Sequence, residues 1–237
     1  MGVNLDHVTT LRQARSTPYP DLLEAIRISE MAGADGITLH LREDRRHIQD
    51  RDVYEAREVI QSSMNLEMAA TSEMQKIAID VKPDFCCIVP ERREELTTEG
   101  GLDVLAHADR LRDLITSLHS ENIKVSLFIE PNPLIIDAAV EVGAAIIEMH
   151  TGHYANKHGL QQQHEFERLR VGATHAINMG LTVNAGHGLH VGNVKPVADI
   201  AGMNELNIGH SIVSDALFVG LENAIHNMRH AINGAEK

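Results

Sequence analysis

Short apolar runs alternate strictly with longer amphipathic stretches along this chain, and the alternation predicts an α/β fold, a single (β/α)8 TIM barrel with extra helices. Three observations carry the prediction. Eight strand-like runs are separated by helical patterns. The 237 residues, 43% hydrophobic, suit one sizeable core, so 1–237 is taken as one catalytic domain. Polar residues recur at the C-terminal ends of many runs, whereas a doubly wound open sheet, the alternative, would gather them at one switch point.

The elements follow in order. Gly2 to His7 opens the chain as a strand ending in polar groups, and a loop through Arg12, Arg15 and Pro18 leads to a helix from Asp21. Leu22, Leu23, Ile26, Ile28 and Met31 fall near helical spacing, and Gly33 stops that helix. Gly36 to Leu39 is a β-branched strand with His40 at its end. Asp52 to Ile60 is a helix, Met64 to Ala69 a strand, Glu73 to Val81 a helix and Asp84 to Val89 a strand. A long loop from Pro90 to Gly101 ends in a glycine pair and leads to a helix from Leu102 to His119. Val125 to Ile129 is a strand, Leu134 to Val142 a helix with Gly143 beyond it, and Ala145 to His150 a strand. After a polar loop from Thr151 to Gly159, a helix through His164 to Met179 stops at Gly180. Leu181 to Asn184 and Glu205 to Ile208 are the last strands, and a single helix runs from Ser211 towards Ile232.

Composition excludes several classes of function. A formal charge of −13 argues against nucleic-acid binding, which needs a net basic face, so an anionic ligand must be small and locally met. Cys86 and Cys87 are adjacent in an apolar run, which suits reduced, buried strand residues and a cytoplasmic compartment. No segment reaches the ~18 apolar residues of a membrane span, and no basic stretch followed by an apolar core opens the chain. The expectation is a soluble, unexported protein.

The chemistry concentrates first after the second strand, where His40, Arg42, Arg45, Arg46 and His47 fall within eight positions. Arginine offers a planar fork that matches phosphate, and histidine exchanges protons near neutral pH. Glu43 and Asp44 lie between the arginines, so a surface salt-bridge ladder is the plainer account of part of this run. Asn4, Asp6 and His7 end the first strand, Glu148 and His150 the sixth, Asn184 and His187 the seventh, and His210 the eighth. In a barrel these share one mouth. Asn4, Asp6 and Asn184 taken singly would serve as well by bonding loop backbone. Glu67 is different: flanked by Leu66 and Met68, its ionised form is costly without a partner, so it is either paired with a cation across the barrel or poised for proton transfer. Asn184-Ala185-Gly186-His187-Gly188 and Asn207-Ile208-Gly209-His210-Ser211 follow the last two strands, where many barrels bind phosphate on backbone N–H groups. The histidines at 107, 119, 158, 164, 175, 190, 226 and 230 are read as solvated or packing residues.

The segments 39–48 (LHLREDRRHI), 64–69 (MNLEMA), 97–104 (TTEGGLDV), 150–152 (HTG), 184–189 (NAGHGL) and 205–210 (ELNIGH) together closely resemble the pyridoxine 5′-phosphate synthase family of vitamin B6 biosynthesis, over essentially the whole chain. The resemblance implies condensation of 1-deoxy-D-xylulose 5-phosphate with 3-amino-2-oxopropyl phosphate, without metal or organic cofactor. It makes His40 the proton acceptor, Glu67 a second acid/base and His187 the proton donor. It assigns Asn4, Asp6, His7, Arg15, Arg42, His47 and Thr97 to substrate or product, and Gly188, Gly209 and His210 to a phosphate. It also implies a homo-octamer built from dimers. Three rival readings use the same residues. A metal-dependent hydrolase would take His7, His40, Glu67, His187 and His210 as ligands. A phosphosugar isomerase or epimerase would act on one substrate, and a non-catalytic phosphometabolite sensor would have no use for Glu67.

Overall fold

The computed structural model describes residues 1–97 and 100–234. Its centre is a closed barrel of eight parallel strands in chain order: β1 (Gly2–Asn4), β2 (Gly36–His40), β3 (Ser63–Met68), β4 (Phe85–Ile88), β5 (Lys124–Ile129), β6 (Ile146–His150), β7 (Thr182–Gly186) and β8 (Met203–Ile208). The ring closes where Gly2 and Val3 pair with Asn207 and Ile208. Eleven helices accompany it among the described residues: α1 (Asp6–Gln13), α2 (Leu22–Met31), α3 (Asp50–Val59), α4 (Ser72–Val81), α5 (Ala108–Ser120), α6 (Pro133–Glu141), α7 (Gly152–Ala155), α8 (Gly159–Asn178), α9 (Val194–Ala198), α10 (His210–Val219) and α11 (Leu221–Asn233). None is long and apolar enough to cross a membrane.

The strands divide their residues by the two-residue period of the pleat. Ile37, Leu39, Met64, Leu66, Met68, Val125, Leu127, Ile129, Ile147 and Met149 are fully buried and belong to the apolar core shared with the helices. The alternate positions are polar and meet inside the barrel. Thr38 on β2 bonds Asn207 on β8 across β1, and Asn207 reaches Glu148 on β6 across β7. Gly2 on β1 makes room for the first contact, since a Cβ there would collide with the Asn207 side chain. Cys86 and Cys87 are free and buried on β4.

Local signals set the helix ends. Asp21 accepts the Leu23 N–H at the start of α2, Thr71 accepts that of Met74 at the start of α4, and Asn132 with Pro133 opens α6. Gly33 and Gly143, at φ +90° and +89°, follow α2 and α6 as expected.

Several expectations need correction. Asp6 and His7 belong to α1 and not to a first strand: Asn4 Oδ1 accepts the Asp6 N–H at 3.0 Å and turns the chain, and the buried Arg12–Asp52 pair anchors the new helix to α3. Helix α5 begins at Ala108, six residues late, because the Leu102 N–H donates to the Phe128 carbonyl at 2.9 Å and that of Asp103 to Glu95. The polar loop after β6 contains α7, and α9 lies between β7 and β8; both are too short for a periodicity to register. Strand β7 runs on to Gly186. The last helix is two, broken at Gly220, whose φ of +84° no helical residue adopts.

Candidate active site

The first group forms where β1, β2, β3 and β4 end. Asp6 is buried; its Oδ1 accepts the His40 backbone N–H at 2.8 Å and its Oδ2 accepts from Asn4 Nδ2 at 2.9 Å. His40 thereby has its backbone held from the start of α1 while its ring stands between two carboxylates. Its Nε2 is 2.9 Å from Glu91 Oε1, and its Nδ1 is 3.6 Å from Glu67 Oε2. Glu91 also accepts the Glu43 N–H at 2.9 Å, and its pKa is lowered: the bonds from His40 and Glu43 outweigh its burial.

Glu67 has the opposite environment. Among the described residues no hydrogen bond and no arginine meets its carboxyl, and burial, then Glu148, then Asp6 push its pKa well above the usual carboxylate range. Glu148 lies below it in the lumen, 3% exposed, accepting from Asn207 Nδ2 at 2.6 Å. Burial raises Glu148 to about 7 against the lowering effect of that bond, with Glu205 adding to the rise. Two carboxyls in one enclosed lumen resist joint ionisation, and Glu67 holds its proton more firmly than a surface glutamate.

Histidines line the next sector. His47 is 8% exposed, and its Nδ1 accepts the Ile48 N–H at 2.9 Å, which leaves Nε2 as the nitrogen bearing hydrogen. The ring centre of His47 is 6.0 Å from that of His40 and 6.5 Å from that of His7, and His7 meets His210 edge to face at 5.1 Å. Burial lowers the pKa of both His7 and His47, against a raising effect of Asp6. His210 opens α10 directly after Gly209, and a Cβ on Gly209 would lie 2.8 Å from Asn4, so this glycine permits the close packing of β1 and β8 ends.

The arginine run behaves mostly as the salt-bridge ladder. Arg46 and Arg42 both bind Asp44, whose carboxyl they hold far below its usual range, and Arg45 pairs with Asp50 and Glu73. Arg42 and Arg45 are both largely enclosed; Arg42 has its Nε and Nη2 each 3.1 Å from an Asp44 oxygen in the two-point geometry a phosphate would take.

Across the mouth, His187 follows β7 with φ +80°, a conformation that costs energy for a residue with a side chain. Thr151 holds it there: its hydroxyl lies 2.6 Å from the carbonyls of both Gly186 and His187. The protein packed around His187 lowers its pKa, as do His150, His210 and His7. Gly188, at φ +79°, continues the turn. Thr97 sits in the β4–α5 connection, where its N–H donates to the Gly101 carbonyl at 2.7 Å and its hydroxyl accepts from Gly100. Arg15 makes no bond to any of these residues. It is exposed between α1 and α2, and its guanidinium bonds no other described residue.

Sequence reasoning passed over Glu91, Glu130, Thr151 and Asn207, and gave His150 no role. The signal for Glu130, Asn207 and His150 was present in their strand-end positions; Glu91 and Thr151 sit in loops, with no periodicity to mark them. Two groups among the described residues bring three metal-capable atoms within 4.8 Å of one another: Asp6 with His40 and Glu67, and Glu130 with His150 and His153. His7, His187 and His210 join neither, so the five-ligand set of a hydrolase does not converge.

Similarity to known proteins agrees with this arrangement. The profile of the family described as "Pyridoxal phosphate biosynthesis protein PdxJ" matches residues 1–234. The chain is 58% identical to the pyridoxine 5′-phosphate synthase of Thioalkalivibrio sulfidiphilus over 100% of its own length and 97% of the relative's. It is 57% identical to the enzyme of that name from a Synechococcus species, over 98% of each chain. Among solved structures, orotidine 5′-monophosphate decarboxylase from Methanocaldococcus jannaschii superposes with a TM-score of 0.68 at 13% identity, over 99% of this chain and 98% of that one. KGPDC from Streptococcus mutans superposes at 0.66 and 13% identity, over 98% and 96%. At such low identity these two speak for the barrel alone. The full-length match and the close relatives decide the rest: this chain belongs to the PdxJ family of pyridoxine 5′-phosphate synthases.

Proposed function

We propose that this mouth condenses 1-deoxy-D-xylulose 5-phosphate with 3-amino-2-oxopropyl phosphate to pyridoxine 5′-phosphate, phosphate and water, with proton transfers divided between a His40–Glu67 pole and a His187 pole. Imine formation, phosphate loss, ring closure and dehydration each move protons, and groups on opposite walls reach both faces of one intermediate. The observation that carries the reading is Glu67, an enclosed carboxyl with no hydrogen-bond partner among the described residues, 3.6 Å from an imidazole. Burial, Glu148 and Asp6 raise its pKa, so it holds a proton more firmly than a surface glutamate does and is placed to give one to a departing oxygen and take one back. His40, braced by Glu91 on Nε2, is the neighbouring acceptor.

His187 donates from the other wall. Its surroundings lower its pKa, and a dianionic phosphate bound by Gly188, Gly209 and His210 supplies the opposite charge that favours the imidazolium. Donation is then tied to occupancy of the site. Asn4, Asp6, His7, Arg42, His47 and Thr97 hold the remaining polar groups of substrate and product. Arg15, exposed on the segment between α1 and α2, is assigned to substrate with them. The whole chain acts as one catalytic unit in the cytoplasm, in keeping with two free buried thiols. Leu217 and Phe218, 66% and 89% exposed at the end of α10, suit the self-association of a homo-octamer.

The test is incubation with both phosphorylated substrates, read by a pyridine chromophore and free phosphate. Turnover should need both, and Glu67→Gln should abolish it while substrate affinity and melting temperature hold. Conversion of one substrate alone would favour an isomerase. Activity lost to a chelator and restored by zinc would favour the hydrolase, and a Glu67→Gln protein that turns over normally would remove Glu67 from the chemistry.

A further inference from the structure

Beside His187 stands an acid/base pair that the scheme above leaves unused. Glu130, following β5, has a side chain 3% exposed; its Oε1 is 2.6 Å from His150 Nδ1 at the end of β6, and its Oε2 is buried with no partner. The carboxylate accepts the Nδ1 hydrogen, which settles the tautomer and leaves Nε2 free for proton exchange. That nitrogen faces Gly152. A Cβ on Gly152 would lie 2.5 Å from His150 Nε2 and 3.1 Å from His187 Cδ2. Gly152 has no positive φ, so the backbone does not require glycine there; what the missing side chain permits is the close approach of both imidazoles to this backbone, with no room for a methyl beside them. Their ring centres are 5.1 Å apart, close enough for transfer directly or through one water.

We propose that Glu130 and His150 form a proton relay that reloads His187 between the successive proton transfers of the reaction. After His187 gives its proton to substrate, the imidazolium form of His150, protonated on both nitrogens beside the Glu130 carboxylate, loses its Nε2–H as an N–H bond forms on His187; the Nδ1 hydrogen stays on His150, bonded to Glu130, and a neutral imidazole is left. His150, 13% exposed, then regains a proton from solvent. Glu130 is a positioning residue that acts through His150. The ionisable neighbours are Glu130 and His153 beside His150, and His7 and His210 beside His187; Phe128 supplies an apolar wall to both rings.

The relay rests on His187 as donor, so the test separates the two claims. Wild type, His187→Asn, His150→Ala, Glu130→Gln and Gly152→Ala are compared in kcat, in KM for each substrate and in pH–rate profile. His150→Ala should lose about 10²-fold in kcat with KM within about twofold, shift one limb of the profile, and recover partly in added imidazole. Gly152→Ala should lose kcat with both histidines present, which keeps the proposal testable if Glu130→Gln does not fold. His187→Asn at the wild-type rate would remove the donor assignment itself. If His187→Asn is inactive but His150→Ala matches wild type, the relay alone fails. A kcat loss in His150→Ala that imidazole does not restore and that leaves the profile unmoved would make the pair a scaffold. Stoichiometric zinc in the wild type, lost in His153→Ala, would overturn the relay in favour of a metal centre.

Discussion

Replacing Glu148 by glutamine should stabilise the protein increasingly as pH rises from acid to neutral. Glu148 is buried in the barrel lumen, where its carboxyl holds a proton up to about 7 instead of 4.5. Below pH 4.5 the folded and unfolded chains are both protonated there, and the residue makes no pH-dependent contribution. Between 4.5 and about 7 the unfolded chain ionises first, unfolding releases a proton, and stability falls with pH. Above about 7 the loss is complete, at about 3 kcal/mol. Glutamine cannot ionise, yet its carbonyl still accepts from Asn207 Nδ2, which now lies 2.6 Å from Oε2. Any misfit of the new amide adds an offset that does not vary with pH. Loss of the Glu148 charge also relieves Glu67, whose pKa it helps to raise, and this acts in the same direction. Urea unfolding of both proteins at fixed concentration, from pH 4.5 to 8.5, should show the variant gaining about 3 kcal/mol on the wild type across that range. A stability difference that stays constant with pH would refute the account of two carboxyls competing in one lumen.

Three further outcomes are expected. Arg42→Ala should raise KM for a phosphorylated substrate by the equivalent of about 1.5–3 kcal/mol, and Arg42→Lys should restore only part, since a point charge lacks the fork that now grips Asp44; equal KM values in steady-state kinetics would speak against this. His40→Asn keeps size but not proton exchange, so kcat should fall by about 10²–10⁴ with the melting temperature held; an early-melting variant with normal kcat would mark His40 as structural. Arg12→Ala leaves the buried carboxylate of Asp52 without its two-point partner and should cost about 3–5 kcal/mol in chemical unfolding, while a loss under about 1 kcal/mol would mean that the pair does not anchor α1.

The barrel was legible in the sequence because its strands obey a period of two: one face is apolar against the helices, and the other carries Thr38, Glu67, Glu148 and Asn207 into the lumen. Strand ends fall on one rim in a parallel barrel, so His40, Glu67, His187 and His210 could be assigned to a common mouth from position alone. Partnership was not legible, because it is decided by closure of the ring. Glu91 reaches His40 from 51 positions away and Glu130 reaches His150 from 20, and nothing local to either residue encodes the distance. The tertiary fold also set the partners of the arginine run, with Arg42 and Arg46 sharing Asp44 and Arg45 reaching Asp50 and, on α4, Glu73. Asp6 and His7 show the limit most plainly. Residues 6–13 contain a valine and two threonines, poor helix formers, and tertiary contacts commit them to a helix: the Asn4 turn, burial of Val8 and Thr9, and above all the buried Arg12–Asp52 pair. Propensity is a matter of tenths of a kcal/mol per residue, whereas leaving a buried charge unpaired costs several, so the tertiary contact decides.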